Sequence, residues 1–449
     1  MMKRALVLLF LLTAIIFVGF GCDDSNNMPE AAATMTVVPI TVIEATAAPQ
    51  PTVPAEPIIL AEPAAALADE SVVIQVLGLE PGQTVTLRAS LRDDYDRRWE
   101  SEATFVADNA GVVDVATQAP MSGTYTDIDA MGLLWSMVPK TVAGSAFFSL
   151  ETSQVVVTLM AESDGETIGT AYLRRLRLGE GVSTKNVAEN GLVGIFYEPE
   201  ADEPVPTLIV LSGSDGGMDT PKAAMLASHG YATLALDYFG NEPLPLSLTE
   251  VPLEYFATAV SWLKTQEIVD DTKIGVVGTS RGGELALLLG STYPELFQVV
   301  VGYVASGLVN GNISRDGVGE KAAWTIGGEP VPFNVGFNRE EATIPVEKIQ
   351  APVLLISGKS DLLWPSTAWS EIAINRLAAH NHPYPYEHLA YEGAGHWIGV
   401  PHWPTTGRDS ITHPVTGGKI WFGGTAVADA FASADAWNQL LTFLEANFR

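Results

Sequence analysis

The chain has 449 residues, which at about 150 residues per domain sets a prior of two to three domains. It carries 24 lysines and arginines against 53 acids, a formal charge of −29, which excludes nucleic-acid binding by bulk attraction and offers no long-range pull on polyanions such as coenzyme A thioesters. Its single cysteine, Cys22, excludes an internal disulfide framework, a cysteine zinc site, an iron–sulfur cluster and a cysteine nucleophile in the body of the protein.

Met1–Arg4 is a short basic start, and Ala5–Gly21 is apolar apart from Thr13. A basic n-region, an apolar h-region and a break at Gly21-Cys22 predict a secretory signal over 1–22. The position of Cys22 resembles that of the lipidated cysteine in bacterial lipoproteins, which implies an exported chain held to a membrane on its extracytoplasmic side. Residues 23–68 are rich in Ala, Pro, Thr and Glu, with prolines at 29, 39, 49, 51, 54, 57 and 63. No helical or strand period survives there, so a disordered tether is expected.

Residues 69–180 read as short strands. The segments 71–77, 84–90 and 99–106, then a hairpin of 154–160 and 167–173, lie between turns such as Glu80-Pro-Gly-Gln83 and Ser163-Asp-Gly165, and 84–90 alternates apolar and polar residues at period two. This spacing predicts a β-sandwich of immunoglobulin type, held by packing alone because no disulfide is available. The apolar run Met131–Met137 reads as core or inter-domain packing. Residues 181–449 change pattern. Strands are predicted at 192–197, 207–211, 232–236, 274–277, 299–303, 353–356 and near Tyr386, and helices at 222–229, 253–265 and 284–289. Strands and helices in alternation predict an α/β domain with a mostly parallel sheet.

The strongest local signal is Gly278-Thr-Ser-Arg-Gly282, set between a predicted strand and a predicted helix. That is the context a G-x-S-x-G nucleophile elbow requires, with small residues where strand and helix come close. A nucleophilic Ser280 needs a base, and the base an orienting acid, in the chain order Ser, Asp or Glu, His. Asp361 directly follows the strand at 353–356. His396 lies in the small-residue loop Gly393-Ala-Gly-His396 after the strand near Tyr386. These are the expected acid and base. The oxyanion donors are expected from the backbone of Arg281 and of Gly213 or Ser214, in the glycine-rich loop after the strand at 207–211. That loop has no Gly-Lys-Ser/Thr continuation, so it is not a phosphate loop. No cofactor and no metal is expected. His380, His382 and His388 lie close in sequence but read as a solvated loop. The glycine-rich segment 310–343, with Trp324 and Phe333, is expected to help line an acyl pocket.

With these residues in place, the chain resembles the acyl-CoA thioesterase and bile acid-CoA:amino acid N-acyltransferase family over about residues 71–449. The matching stretches are Gly78–Gln83, Ala107–Asp114, Met131–Ser136, Leu253–Phe256, Gly278–Leu285, Ile344–Glu347, Gly395-His396, Ile420–Gly424 and Asp435–Trp437. The resemblance implies an immunoglobulin-like domain packed on an α/β-hydrolase domain. It further implies Ser280, Asp361 and His396 as the triad and acyl-CoA thioesters as the substrate class. Family members that transfer acyl groups to glycine or taurine carry cysteine as nucleophile; Ser280 here implies hydrolysis. Arg281 stands where lysine is often found. The resemblance also implies work inside cells, whereas the leader implies export. A carboxylesterase or dienelactone-hydrolase-like enzyme acting on another ester, and a non-catalytic binding lipoprotein, remain as alternatives.

Overall fold

The computed structural model describes residues 56–140, 148–149, 152–335, 340–407 and 410–449. The leader at 1–22 with Cys22, and the tether as far as residue 55, lie outside the described residues.

The tether does not extend to residue 68. Ile58–Glu62 and Ala65–Leu67 are strands. The first pairs antiparallel with Val73–Leu77, and the second lies parallel to the end of Glu166–Leu176. Pro57 and Pro63 flank the first strand, where they cost no ladder hydrogen bond inside it. The larger sheet of this region runs in the order Ala65–Leu67, Glu166–Leu176, Gln154–Ser163, Thr84–Arg92, Arg98–Val106 and Ser122–Gly123. A smaller sheet holds Ile58–Glu62, Val73–Leu77 and Val113–Asp114. Thr84–Arg92 and Arg98–Val106 bury every second residue, as their period-two patterns require. Their apolar members share one core with Ile74, Val76 and Leu159, and its largest fully buried side chain is Trp99. The indole of Trp99 donates to Asp93 at 2.9 Å, which satisfies its one polar group inside that core.

An eight-stranded sheet follows, in the order Val182–Val187, Val193–Pro199, Ala232–Asp237, Val205–Leu211, Val269–Thr279, Val300–Tyr303, Val353–Gly358 and Tyr386–Tyr391. The first two strands pair antiparallel, and the second pairs antiparallel with the third. The other neighbours are parallel. The central strands carry continuous apolar runs, Leu208–Leu211 and Val353–Ile356 among them, because helices cover both faces. Those helices span Thr220–Ser228, Glu254–Leu263, Arg281–Thr292, Ser366–Ala379 and Ala426–Asn447.

The segment Met131–Met137 is buried and contains the short helix Gly132–Trp135. It both fills the first core and meets the second region: Thr405 donates its backbone N–H to the Trp135 carbonyl at 3.0 Å, and the Thr406 hydroxyl donates to the Met137 carbonyl. Asp69 forms a second tie, accepting from the indole of Trp437 at 2.7 Å and pairing with His229 at 2.5 Å. No helix among the described residues is long and apolar enough to cross a membrane.

Candidate active site

Parallel strands bring their C-terminal ends to one edge of the sheet, and the loops there converge. The strand Val269–Thr279 ends at Ser280, and the helix Arg281–Thr292 begins at the next residue. Ser280 has φ 59° and ψ −116°, a conformation that costs a non-glycine residue about 1–3 kcal/mol and persists only where its surroundings impose it. Two hydrogen bonds impose it: the Ser280 N–H donates to the Tyr303 carbonyl at 2.8 Å, and its carbonyl accepts from Glu284 N–H at 3.0 Å. The flanking glycines are steric necessities. A Cβ on Gly278 would lie 1.9 Å from the Gly282 carbonyl oxygen, and one on Gly282 would lie 2.3 Å from that of Ser212.

The structure brings the three expected side chains into one hydrogen-bonded chain. Ser280 Oγ is 2.9 Å from His396 Nε2, and His396 Nδ1 is 2.7 Å from Asp361 Oδ2. The other carboxylate oxygen of Asp361 accepts from the N–H groups of Leu363 and Trp364 at 2.9 and 3.2 Å, so the acid is oriented by its own loop. The side chains of Asp361 and His396 are almost wholly buried. Trp364 and Phe422 border the imidazole at 5.8 and 6.0 Å between ring centroids. With a carboxylate at Nδ1 the imidazole keeps its proton there, and Nε2 is left as the acceptor for the Ser280 hydroxyl. Such an array can move a proton from serine to imidazole as serine attacks a carbonyl carbon.

The glycine-rich loop lies against the nucleophile. The Cβ position of Gly213 is 3.3 Å from Ser280 Cβ and 3.2 Å from Asp215 Oδ1. Tyr238, fully buried, donates its hydroxyl to the Ser212 carbonyl at 2.7 Å and anchors the loop from below. Ser214 and Asp215 lie in the glycine-rich loop that the sequence marks, but nothing in the sequence fixes where their side chains sit. Asp215 is exposed at its surface, with the loop and its neighbours packed around the carboxyl's base. Burial pushes its carboxyl up to about 6, and Asp219 nearby adds to the rise while His396 opposes it.

The Arg281 side chain is buried: it donates to the Asn310 carbonyl at 2.9 Å and pairs with Glu284 at 3.3 Å. One expectation is corrected. His380 is exposed at the end of the helix Ser366–Ala379, but His382 and His388 are not in a solvated loop. His382 is buried with Nε2 3.1 Å from the Ala351 carbonyl, and His388 lies in the strand Tyr386–Tyr391, bonded to Ser357 at 2.8 Å. The aromatic cluster of His382, Tyr384 and Tyr386 supplies apolar cover that composition alone does not reveal. Among the described residues no group of His, Cys, Asp and Glu side chains is arranged to hold a metal ion. Within the segment 310–343, Trp324 donates to Glu284 and so braces the nucleophile helix from behind.

An eight-stranded sheet with a serine elbow, a histidine and a carboxylate at its strand ends defines an α/β hydrolase. Residues 69–189 match the family described as the acyl-CoA thioester hydrolase/BAAT N-terminal region. Residues 251–315 and 334–448 match the BAAT/acyl-CoA thioester hydrolase C-terminal family. The chain belongs to this enzyme family. It is 31% identical to human acyl-coenzyme A thioesterase 1 over 405 residues, 84% of this chain and 93% of the relative. It is 30% identical to mouse acyl-coenzyme A amino acid N-acyltransferase 1 over 417 residues, 86% and 96% of the two chains. A dienelactone hydrolase from Anabaena variabilis ATCC 29413 superposes with a TM-score of 0.37 at 19% identity, covering 60% of this chain and 100% of its own.

Proposed function

We propose that this protein hydrolyses acyl-CoA thioesters through an acyl-enzyme on Ser280. Ser280 Oγ attacks the thioester carbonyl and His396 Nε2 takes its proton. Asp361 holds the imidazole tautomer and stabilises the imidazolium. The backbone N–H groups of Arg281 and of Gly213 or Ser214 bind the oxyanion. The C–S bond breaks, the thiolate leaves with the proton from His396, and water activated by the same imidazole releases the acid. The observation that carries this reading is the unbroken chain Ser280–His396–Asp361 at 2.9 and 2.7 Å in a member of a thioester hydrolase family. A hydroxyl nucleophile leaves an oxygen ester, which water attacks readily, so hydrolysis is favoured over transfer to an amine. The N-terminal sheets are read in the same proposal as an immunoglobulin-like sandwich. The leader is read as a lipoprotein signal that exports the chain and anchors it through Cys22.

The charge of −29 favours one second reading, an esterase acting outside the cell on a substrate without coenzyme A, because the surface does not attract polyphosphate. Steady-state assays of the detergent-solubilised full chain separate the two. A medium-chain acyl-CoA is compared with a chromogenic oxygen ester of the same acyl group. The thioester is expected to win in kcat/KM, and Ser280→Ala to lose at least ~10³-fold on both substrates. Turnover of the oxygen ester alone selects the second reading, and neither substrate turning over in folded protein overturns both. Cys22→Ser, followed by fractionation of cells fed a labelled fatty acid, is expected to abolish label and membrane retention together. Retention without label would sink the anchor.

A further inference from the structure

A second serine–histidine pair flanks the first. Ser214 Oγ lies 2.9 Å from Nε2 of His413. His413 is buried at the tip of the hairpin formed by Ser410–Thr412 and Lys419–Trp421. The second arm of that hairpin runs straight into Phe422, whose carbonyl accepts from the His396 backbone N–H at 2.8 Å. By distance alone the pair imitates Ser280 and His396, and Ser214 could be taken for another nucleophile.

The other ring nitrogen decides otherwise. His413 Nδ1 faces the backbone N–H groups of Val415 and Thr416, each at 3.2 Å. Both are donors, so Nδ1 is the acceptor. Burial pushes the pKa of His413 down, so the ring is neutral at neutral pH and its one proton sits on Nε2. His413 therefore donates to Ser214 Oγ, and it cannot remove the Ser214 proton. His396 is the reverse: its Nδ1 donates to a carboxylate and its Nε2 accepts. Since Nε2–H of His413 occupies a lone pair of Ser214 Oγ, the hydroxyl hydrogen is turned elsewhere and is left to donate. The loop that carries it is the one pressed against Ser280, through Gly213.

We propose that the Ser214 side-chain hydroxyl is a donor to the acyl oxygen, a catalytic group beyond the backbone amides, and that His413 is the positioning residue that aims it. The proposal rests on Ser280 being the nucleophile. When Ser280 Oγ bonds to the acyl carbon, the carbonyl π pair moves onto oxygen, and the Ser214 O–H shortens its hydrogen bond to that oxygen. Ser214 gives up no proton; the only proton transferred goes from Ser280 to His396. A donor held in place before reaction costs no reorganisation when charge develops, and removal of one such donor lowers kcat by about 10²–10³-fold.

The test uses the full chain with the acyl-CoA and ester substrates above, in single-turnover and steady-state assays. Ser214→Ala is expected to lower kcat by about 10²-fold or more with KM changed by less than about threefold, and Ser214→Thr to recover most of it. His413→Ala is expected to lose less, and His413→Gln, which keeps an N–H near the Nε2 position, to recover. The double variant Ser214→Ala/His413→Ala should be no slower than Ser214→Ala, because His413 acts only through that hydroxyl. Unchanged kcat in Ser214→Ala overturns the proposal, and so do losses that multiply in the double variant. Ser214 is half-exposed and its truncation small, so the Ala variant remains informative even where a His413 variant unfolds the hairpin. Ser280→Ala runs beside the series: turnover surviving that change is the failure of the nucleophile reading, whatever Ser214 does.

Discussion

Asp215 shows what the site asks of single residues. Its carboxyl holds a proton more tightly in the folded protein than in the unfolded chain, up to about 6 against an ordinary 3.8, chiefly through burial. The sign follows: Asp215 opposes folding at pH 8, and the opposition fades as pH falls through about 6 towards 3.8. Asp215→Asn is therefore expected to unfold at higher urea than the natural chain at pH 8 and at the same urea near pH 4. A midpoint that rises equally at both values would contradict the assignment. Ser280, Asp361 and His396 were legible because their constraints are local: two glycines around a strand–helix turn, an aspartate just past a strand, a histidine in a small-residue loop. The orientation of Asp215 and the pairing of Ser214 with His413 were not. The latter joins residues 199 apart, and no periodicity spans that distance.

At the scale of elements, the helix behind the nucleophile is held by a buried polar cluster. Glu284, wholly buried, accepts from the Asn310 backbone at 3.1 Å, the Asn310 amide at 2.8 Å and the Trp324 indole at 3.1 Å, and faces Arg281. Burial pushes its pKa up, while Arg281 and these donors oppose the rise. Glu284→Ala leaves Arg281 buried without its counter-charge and is expected to destabilise by about 3–5 kcal/mol. Glu284→Gln, which keeps an acceptor for Trp324, should cost less. Urea unfolding of both measures this, and equal losses would show that only packing counts. The central strands and the helices that cover them were legible as apolar runs alternating with helical periods. The helix Ala426–Asn447 was harder to read, because exposed Val427 and Phe431 put apolar side chains outside the face that buries Ala436, Leu440 and Leu444. Ile58–Glu62 was hidden by the prolines around it: its strand identity comes from pairing with Val73–Leu77 and not from composition.

At the scale of the molecule, His402 reports on the seam between the two regions. It belongs to the second region, and Arg175, Asp129 and Asp69 of the first act on it. Burial, with Arg175 adding to it, depresses its pKa from 6.5 to about 4. The unfolded chain takes up a proton below pH 6.5 and the native state does so only near 4, so stability falls as pH drops through that window. At 1.36 kcal/mol per pH unit the loss is on the order of 3 kcal/mol. His402 also has φ 62°, which asparagine tolerates well. His402→Asn is expected to flatten the fall in unfolding free energy between pH 6.5 and 4.5, and an unchanged slope would assign that fall to other groups. The two-region organisation was legible from the change of pattern near residue 181. The seam was not, because it is made of single long-range bonds.

Those bonds bear on how such a chain can change over generations. Asp69 ties to Trp437, and the carbonyls of Trp135 and Met137 to Thr405 and Thr406. A recombination event with its breakpoint near residue 181 would pair one parent's acceptors with another parent's donors. Each mismatch would leave a buried polar group stranded, at about 1–3 kcal/mol apiece. The two regions are thus poor material for shuffling, and viable chimeras should be those whose crossovers keep Asp69 with Trp437 and a hydroxyl at position 406 for the Met137 carbonyl, whereas the backbone N–H of residue 405 meets the carbonyl of residue 135 whichever parent supplies it.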